Sequence, residues 1–198
     1  MKGEPIGVAE VTVGSDGGSK YTVNTKFVAD PGHGFLINML SEARAGIVAT
    51  LTDSKLRADK IVTARGRRES TVEFDWENGV AASTDKRRRS EVSLRGTDKN
   101  ARRDVLAKAV FVETRWIPGN YAVADLESGV QETSRDEEDI ETRLATYRAT
   151  SVVLPLSSTW KLTLWSTAQL NGLPVKLEMS DGKGRTVSFT LATLGGGA

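Results

Sequence analysis

The chain has no cysteine and only one histidine in 198 residues. The first absence excludes disulfides, thiolate metal sites and a cysteine nucleophile; the second excludes any multi-histidine metal centre. Aromatic residues make up only 6% of the chain, and 27 Lys and Arg face 26 Asp and Glu. A net charge of +1 gives no global field to attract nucleic acid or an anionic membrane, so such a partner needs a local patch and no nucleic-acid role is expected. No window approaches about 18 consecutive apolar residues, and Met1-Lys2-Gly3-Glu4-Pro5 lacks the apolar centre of an export signal. Glycine, by contrast, is plentiful: 19 residues, roughly a tenth of the chain against a usual 7% or so, which announces many turns.

Alternation of apolar and polar residues dominates, the pattern of strands with one buried face. Tyr21, Val23, Thr25 and Phe27 alternate with polar residues after the turn Gly14 to Gly18, and Val72, Phe74 and Trp76 alternate up to Asn78-Gly79, a hairpin signal. Near the end the runs Trp160 to Leu164, Val175 to Met179 and Val187 to Leu191 are separated by Leu170-Asn171-Gly172 and Ser180 to Gly184, which reads as an antiparallel meander. Two segments follow a helical period instead. Phe35, Leu36, Met39 and Leu40 share one helical face, and Val105, Leu106 and Ala109 share another. The acidic stretch Gln131 to Glu141 reads as an exposed loop. The expected fold is therefore mainly β: a single antiparallel, strongly curved sheet or open barrel over residues 1–194, with two short helices and a glycine-rich tail at 195–198.

Chemistry-bearing residues are sparse. His33 has no serine in a nucleophile elbow to serve, and Gly14-Ser15-Asp16-Gly17-Gly18-Ser19-Lys20 precedes a strand rather than the helix a phosphate loop requires. The cluster Asp136-Glu137-Glu138-Asp139 lacks the spaced acids and central glycine of a calcium loop. Glu73 and Asp75 share a strand face as a carboxylate pair would, but a solvated strand edge is much the favoured reading. Basic runs at Arg65 to Arg68, Lys86 to Arg89 and Arg102-Arg103 are interleaved with Glu69, Asp85, Glu91, Asp98 and Asp104, which favours mixed surface over one phosphate-binding face. Among the tryptophans, Trp76 and Trp160 are in phase with core positions, whereas Trp165 is out of phase with Leu162 and Leu164 and points to the opposite face. A curved sheet with two apolar faces has one available to line a cavity, so the candidate ligand contacts are Phe35, Leu36, Met39, Leu40, Trp76, Trp160 and Trp165.

Three groups of residues together resemble the exported family known as domain of unknown function 3108, of Gram-negative bacteria. They are Gly7 to Val13 with Asp16 to Val23 and Gly34-Phe35-Leu36; Arg67-Arg68 with Val72-Glu73-Phe74-Asp75-Trp76 and Asn78-Gly79, then Asp104-Val105-Leu106; and the ending Leu162-Thr163-Leu164-Trp165, Leu173-Pro174-Val175 and Gly184-Arg185-Thr186-Val187. The resemblance implies export to the periplasm, a β-rich open barrel comparable to periplasmic lipoprotein carriers, and no catalytic residues. The expectation is a non-enzymatic envelope protein without cofactor or metal, sheltering a lipid, a lipoprotein acyl chain or another apolar ligand. A structural assembly protein, such as a phage-tail or capsid β domain, is the alternative.

Overall fold

The structure, a computed structural model, describes residues 7–29, 43–86, 88–95, 101–119, 121–123 and 133–195. Seven strands run in chain order across a first sheet: β1 (Gly7–Ser15), β2 (Lys20–Ala29), β3 (Ala43–Thr52), β4 (Lys55–Arg65), β5 (Arg68–Asp75), β6 (Val80–Asp85) and β7 (Arg88–Ser93). Each lies antiparallel to the next, and the two-residue β8 (Ala122–Val123) joins β4 in parallel. The turns follow from local chemistry. Asp16 accepts hydrogen bonds from the backbone of Gly18 (2.8 Å) and Lys20 (3.2 Å) and so closes the β1–β2 hairpin. At the β5–β6 hairpin Asp75 accepts from the Asn78 side chain (2.7 Å) and Gly79 takes φ +68, a left-handed angle that disfavours any side chain.

This sheet is strongly curled, a half-barrel around the helix α1 (Ala101–Thr114). Small residues permit the curl: Ala49, Ala58 and Ala81 are fully buried on the concave face, where larger side chains would hold the strands off the helix. A bulge between Val48 and Ala49 adds twist at the centre. Val23, Ile47, Ile61 and Val72 pack there with Val110 and Ile117. Past the end of α1, the Tyr121 hydroxyl shares its proton between the carbonyls of Thr114 and Ile117 (2.6 Å to the latter), which fixes the turn that follows the helix. Burial pushes this phenol up to about 12, so it remains a donor.

A second antiparallel sheet has the order β13-β12-β11-β10-β9, formed by β9 (Thr133–Glu141), β10 (Thr146–Pro155), β11 (Trp160–Ser166), β12 (Pro174–Asp181) and β13 (Thr186–Thr190). One face takes Phe111 and Val112 of α1 against Leu154 and Leu162; the other buries Trp165, Ile140, Ala149 and Val175. The two sheets also meet where Phe27 of β2 stands edge-on to Phe189 of β13, centroids 5.7 Å apart.

Three expectations change. The strands form two sheets rather than one, because α1 is apolar on two sides and the half-barrel covers only one of them. Among the described residues there is one α-helix, of 14 residues and longer than the short segment its periodicity suggested; the helix expected at Phe35 to Leu40 lies outside the described residues. The acidic stretch is a strand from Thr133 to Glu141 and not a loop. Its alternation is masked because β9 is an edge strand whose Glu137 and Asp139 pair with Arg148 (3.3 Å each), while on its other face Ile140 is buried and the exposed Glu138 accepts the indole N–H of Trp165. The closing meander and the Asn78-Gly79 hairpin stand as expected.

Candidate functional site: a groove at one end of the half-barrel

Strand pairing allows the concave face to be read in rows, since directly paired residues share a face. The row Val23, Ile47, Ile61, Val72 is packed core, continuing to Ser83 on β6. One row nearer the β4–β5 turn, the same face carries Thr25, Ala45, Thr63, Ser70 and Asp85. One row further it carries Ala43, Arg65 and Arg68. The apolar bodies thus shrink to alanine and hydroxyl side chains just as the sheet passes the end of its core. The space they vacate is an open groove of about 490 Å³, lined by Phe27, Ala43, Ala45, Thr25, Thr63 and Ser70, with Arg65, Arg68 and Asp85 at its mouth. This volume lies within the range of about 300–1,000 Å³ typical of small-molecule sites.

Phe27 is the large apolar wall, 6% exposed and braced by Phe189. Thr25 lines the groove and donates to Oε2 of Glu113 on α1 (2.9 Å). Burial raises the Glu113 carboxyl above its ordinary value of 4.5, and the Thr25 hydrogen bond offsets part of that rise. Arg65 and Arg68 are exposed, and among the described residues neither has an ion-pair partner.

The pairing of Ser70 with Asp85 sets the β4–β5 and β6–β7 turns side by side, so two of the three basic runs converge at the mouth. Of the third, Arg103 is buried, 1% exposed, at the start of α1 and offers no surface charge.

The candidate contacts named from the sequence are dispersed. Trp76 stacks on Phe74 (5.7 Å) within the half-barrel core and donates to the Ala58 carbonyl (2.7 Å). Trp165 is buried on the second sheet, on the face opposite Leu162 as its phase indicated, under the Lys176 ammonium (4.2 Å). Trp160 is half-buried beside Arg185. These three tryptophans do not share a cluster, and Phe35, Leu36, Met39, Leu40 and His33 lie outside the described residues.

The carboxylates weighed as an acid pair are both engaged. Glu73 meets Lys60 (3.4 Å), and Asp75, held below its ordinary value first by the Asn78 side-chain hydrogen bond, anchors a turn. Among the described residues no group of three or more His, Cys, Asp or Glu is placed to hold a metal, and no helix is long and apolar enough to cross a membrane.

The groove residues Thr25, Phe27, Ala43, Ala45, Thr63 and Ser70 escape sequence reasoning because strand register alone brings together positions 45 residues apart in the chain. Their one signal is small or hydroxylic residues at in-phase positions near strand ends. No protein-family model matches the chain, and no curated protein matches it.

Proposed function

We propose that this chain is a non-enzymatic binding protein of the bacterial cell envelope, exported to the periplasm, whose half-barrel groove shelters the apolar chain of a lipid or lipoprotein. One observation carries the reading: a groove of about 490 Å³ walled by Phe27, Ala43 and Ala45, open to solvent, with arginines only at its mouth. An apolar chain laid against these walls leaves water, at roughly 25 cal/mol per Å² of apolar surface removed, while an acidic headgroup remains beside Arg65 and Arg68. The envelope location is what the resemblance to the exported family supports.

Native mass spectrometry of protein taken from its own envelope tests the proposal. A co-purifying lipid is the expected result, and a clean ligand-free mass counts against it. Ala45→Trp, which fills the groove, is expected to abolish uptake of a fluorescent fatty acid with the far-UV circular dichroism unchanged. A stable high-order oligomer that takes up no lipid points instead to a structural assembly protein.

A further inference from the structure

The tips of two adjacent hairpins concentrate charge. Arg65, Arg67 and Arg68 surround the β4–β5 turn, and Lys86, Arg88 and Arg89 surround the β6–β7 turn; all six are exposed. Glu69 and Asp85 lie among them, and Arg89 pairs with Glu91 two residues further along β7 (3.5 Å, both side chains exposed). Along the sequence, the stretches 65–69 and 85–89 hold seven of the chain's 27 cations and two of its 26 acids, which leaves 20 cations against 24 acids elsewhere. The charge is therefore segregated rather than merely balanced.

The two turns are two strand spacings apart, about 10 Å. That is close to the Debye length of about 8 Å at physiological ionic strength, so a surface approaching this end meets the six cations nearly as one field. Arg44 on β3, also exposed, extends the field along the mouth of the groove. No aromatic residue stands on either tip to stack on nucleobases, whereas the apolar groove opens at this end.

We propose that the hairpin-tip end of the half-barrel docks on an anionic lipid bilayer, with the mouth of the groove turned toward the headgroups. The argument rests on the placement of charge, so it stands or falls separately from what the groove holds.

The test is sedimentation of the full chain with phosphatidylcholine vesicles, with and without phosphatidylglycerol. The triple variant Arg67→Glu, Lys86→Glu, Arg89→Glu reverses cations that do not line the groove. The variant Arg143→Glu, Lys161→Glu, Lys183→Glu makes the same change of net charge at exposed positions around and within the second sheet. The expected result is binding to the anionic vesicles alone, weakening with added salt, reduced about a hundredfold in the tip variant and changed no more than a few-fold in the other. No binding at low salt, equal binding to neutral vesicles, or equal losses in the two variants overturns the proposal. So does displacement by free glycerol phosphate at matched phosphate concentration, which would mark a soluble-phosphate site. Tighter binding to a DNA duplex that is lost in the tip variant also overturns it. Should circular dichroism show the tip variant unfolded, the triple alanine variant at the same positions is read in its place, with the same outcomes.

Discussion

The two sheets solve opposite packing problems around the same helix. The second fills both its faces: on β11, Leu162, Thr163, Leu164 and Trp165 are consecutively buried, with large side chains to either side. The half-barrel fills its concave face only along the length of α1, and past that point Ala43, Ala45, Thr63 and Ser70 leave the groove empty. Curvature alone does not make a cavity; curvature combined with side chains too small to fill it does. The difference separates a part of the molecule that holds the fold together from a part with room for something else.

The sharpest way to break that contrast is truncation. Leu154→Ala on β10, where Leu154 is fully buried against Phe111 and Leu162, is expected to cost about 3–5 kcal/mol. Thr63→Val in the groove is expected to change stability by no more than about 0.5 kcal/mol, because Thr63 is exposed despite facing inward. Urea denaturation of the two variants compares them directly, and comparable losses would mean that the groove is packed after all. Next in size is Gly79→Ala. Its left-handed φ and an added Cβ only 2.5 Å from Arg95 Nε predict a loss of about 1–2 kcal/mol, read as a lowered melting temperature.

The pH response should separate the two regions by sign. Glu113 faces the half-barrel with its carboxyl raised by burial, so the fold favours its protonated form. Its stabilising contribution is full below the ordinary value of 4.5 and is lost as pH rises through the raised one. Glu113→Gln, which can still accept from Thr25, removes that loss and should make the variant the more stable protein above the window. At Asp181 on the second sheet burial pulls the carboxyl upward, but it is outweighed by hydrogen bonds from the Arg185 side chain (2.6 Å) and from the backbone N–H groups of Arg185 and Lys183. The result lies below 3.8, so the Asp181 contribution is present above that value and is lost as pH falls through the depressed one. Asp181→Asn should flatten the acid limb of the stability curve, whereas Glu113→Gln flattens the limb above it. Urea midpoints measured across pH check both, and a common sign would refute the contrast. The smallest effect is expected for Glu73→Gln, which breaks an exposed pair with Lys60 and should cost only a few tenths of a kcal/mol by the same measurement.

Much of the strand pattern is legible in the chain. Tyr21, Val23, Thr25 and Phe27 do share the concave face, Asn78-Gly79 does turn a hairpin, and Trp165 does face away from Leu162, because side-chain period and turn chemistry are local properties. The acidic β9 was hidden because an edge strand with ion-paired charges outward looks like solvated loop. The basic runs at Arg65 to Arg68 and Lys86 to Arg89 look like mixed surface when each is judged by its sequence neighbours. Their convergence depends on the register that pairs Ser70 with Asp85.

The sequence by itself determined a cysteine-free, charge-balanced chain of alternating strands with glycine turns, since composition and period need no partner to be read. Only the tertiary structure decided that those strands divide into two sheets around one helix, that a groove opens where small residues of β2 to β5 meet, and that six cations gather on the two neighbouring hairpin tips. Those are non-local facts: each depends on which strand lies beside which, and strand register fixes that only when the whole core packs at once.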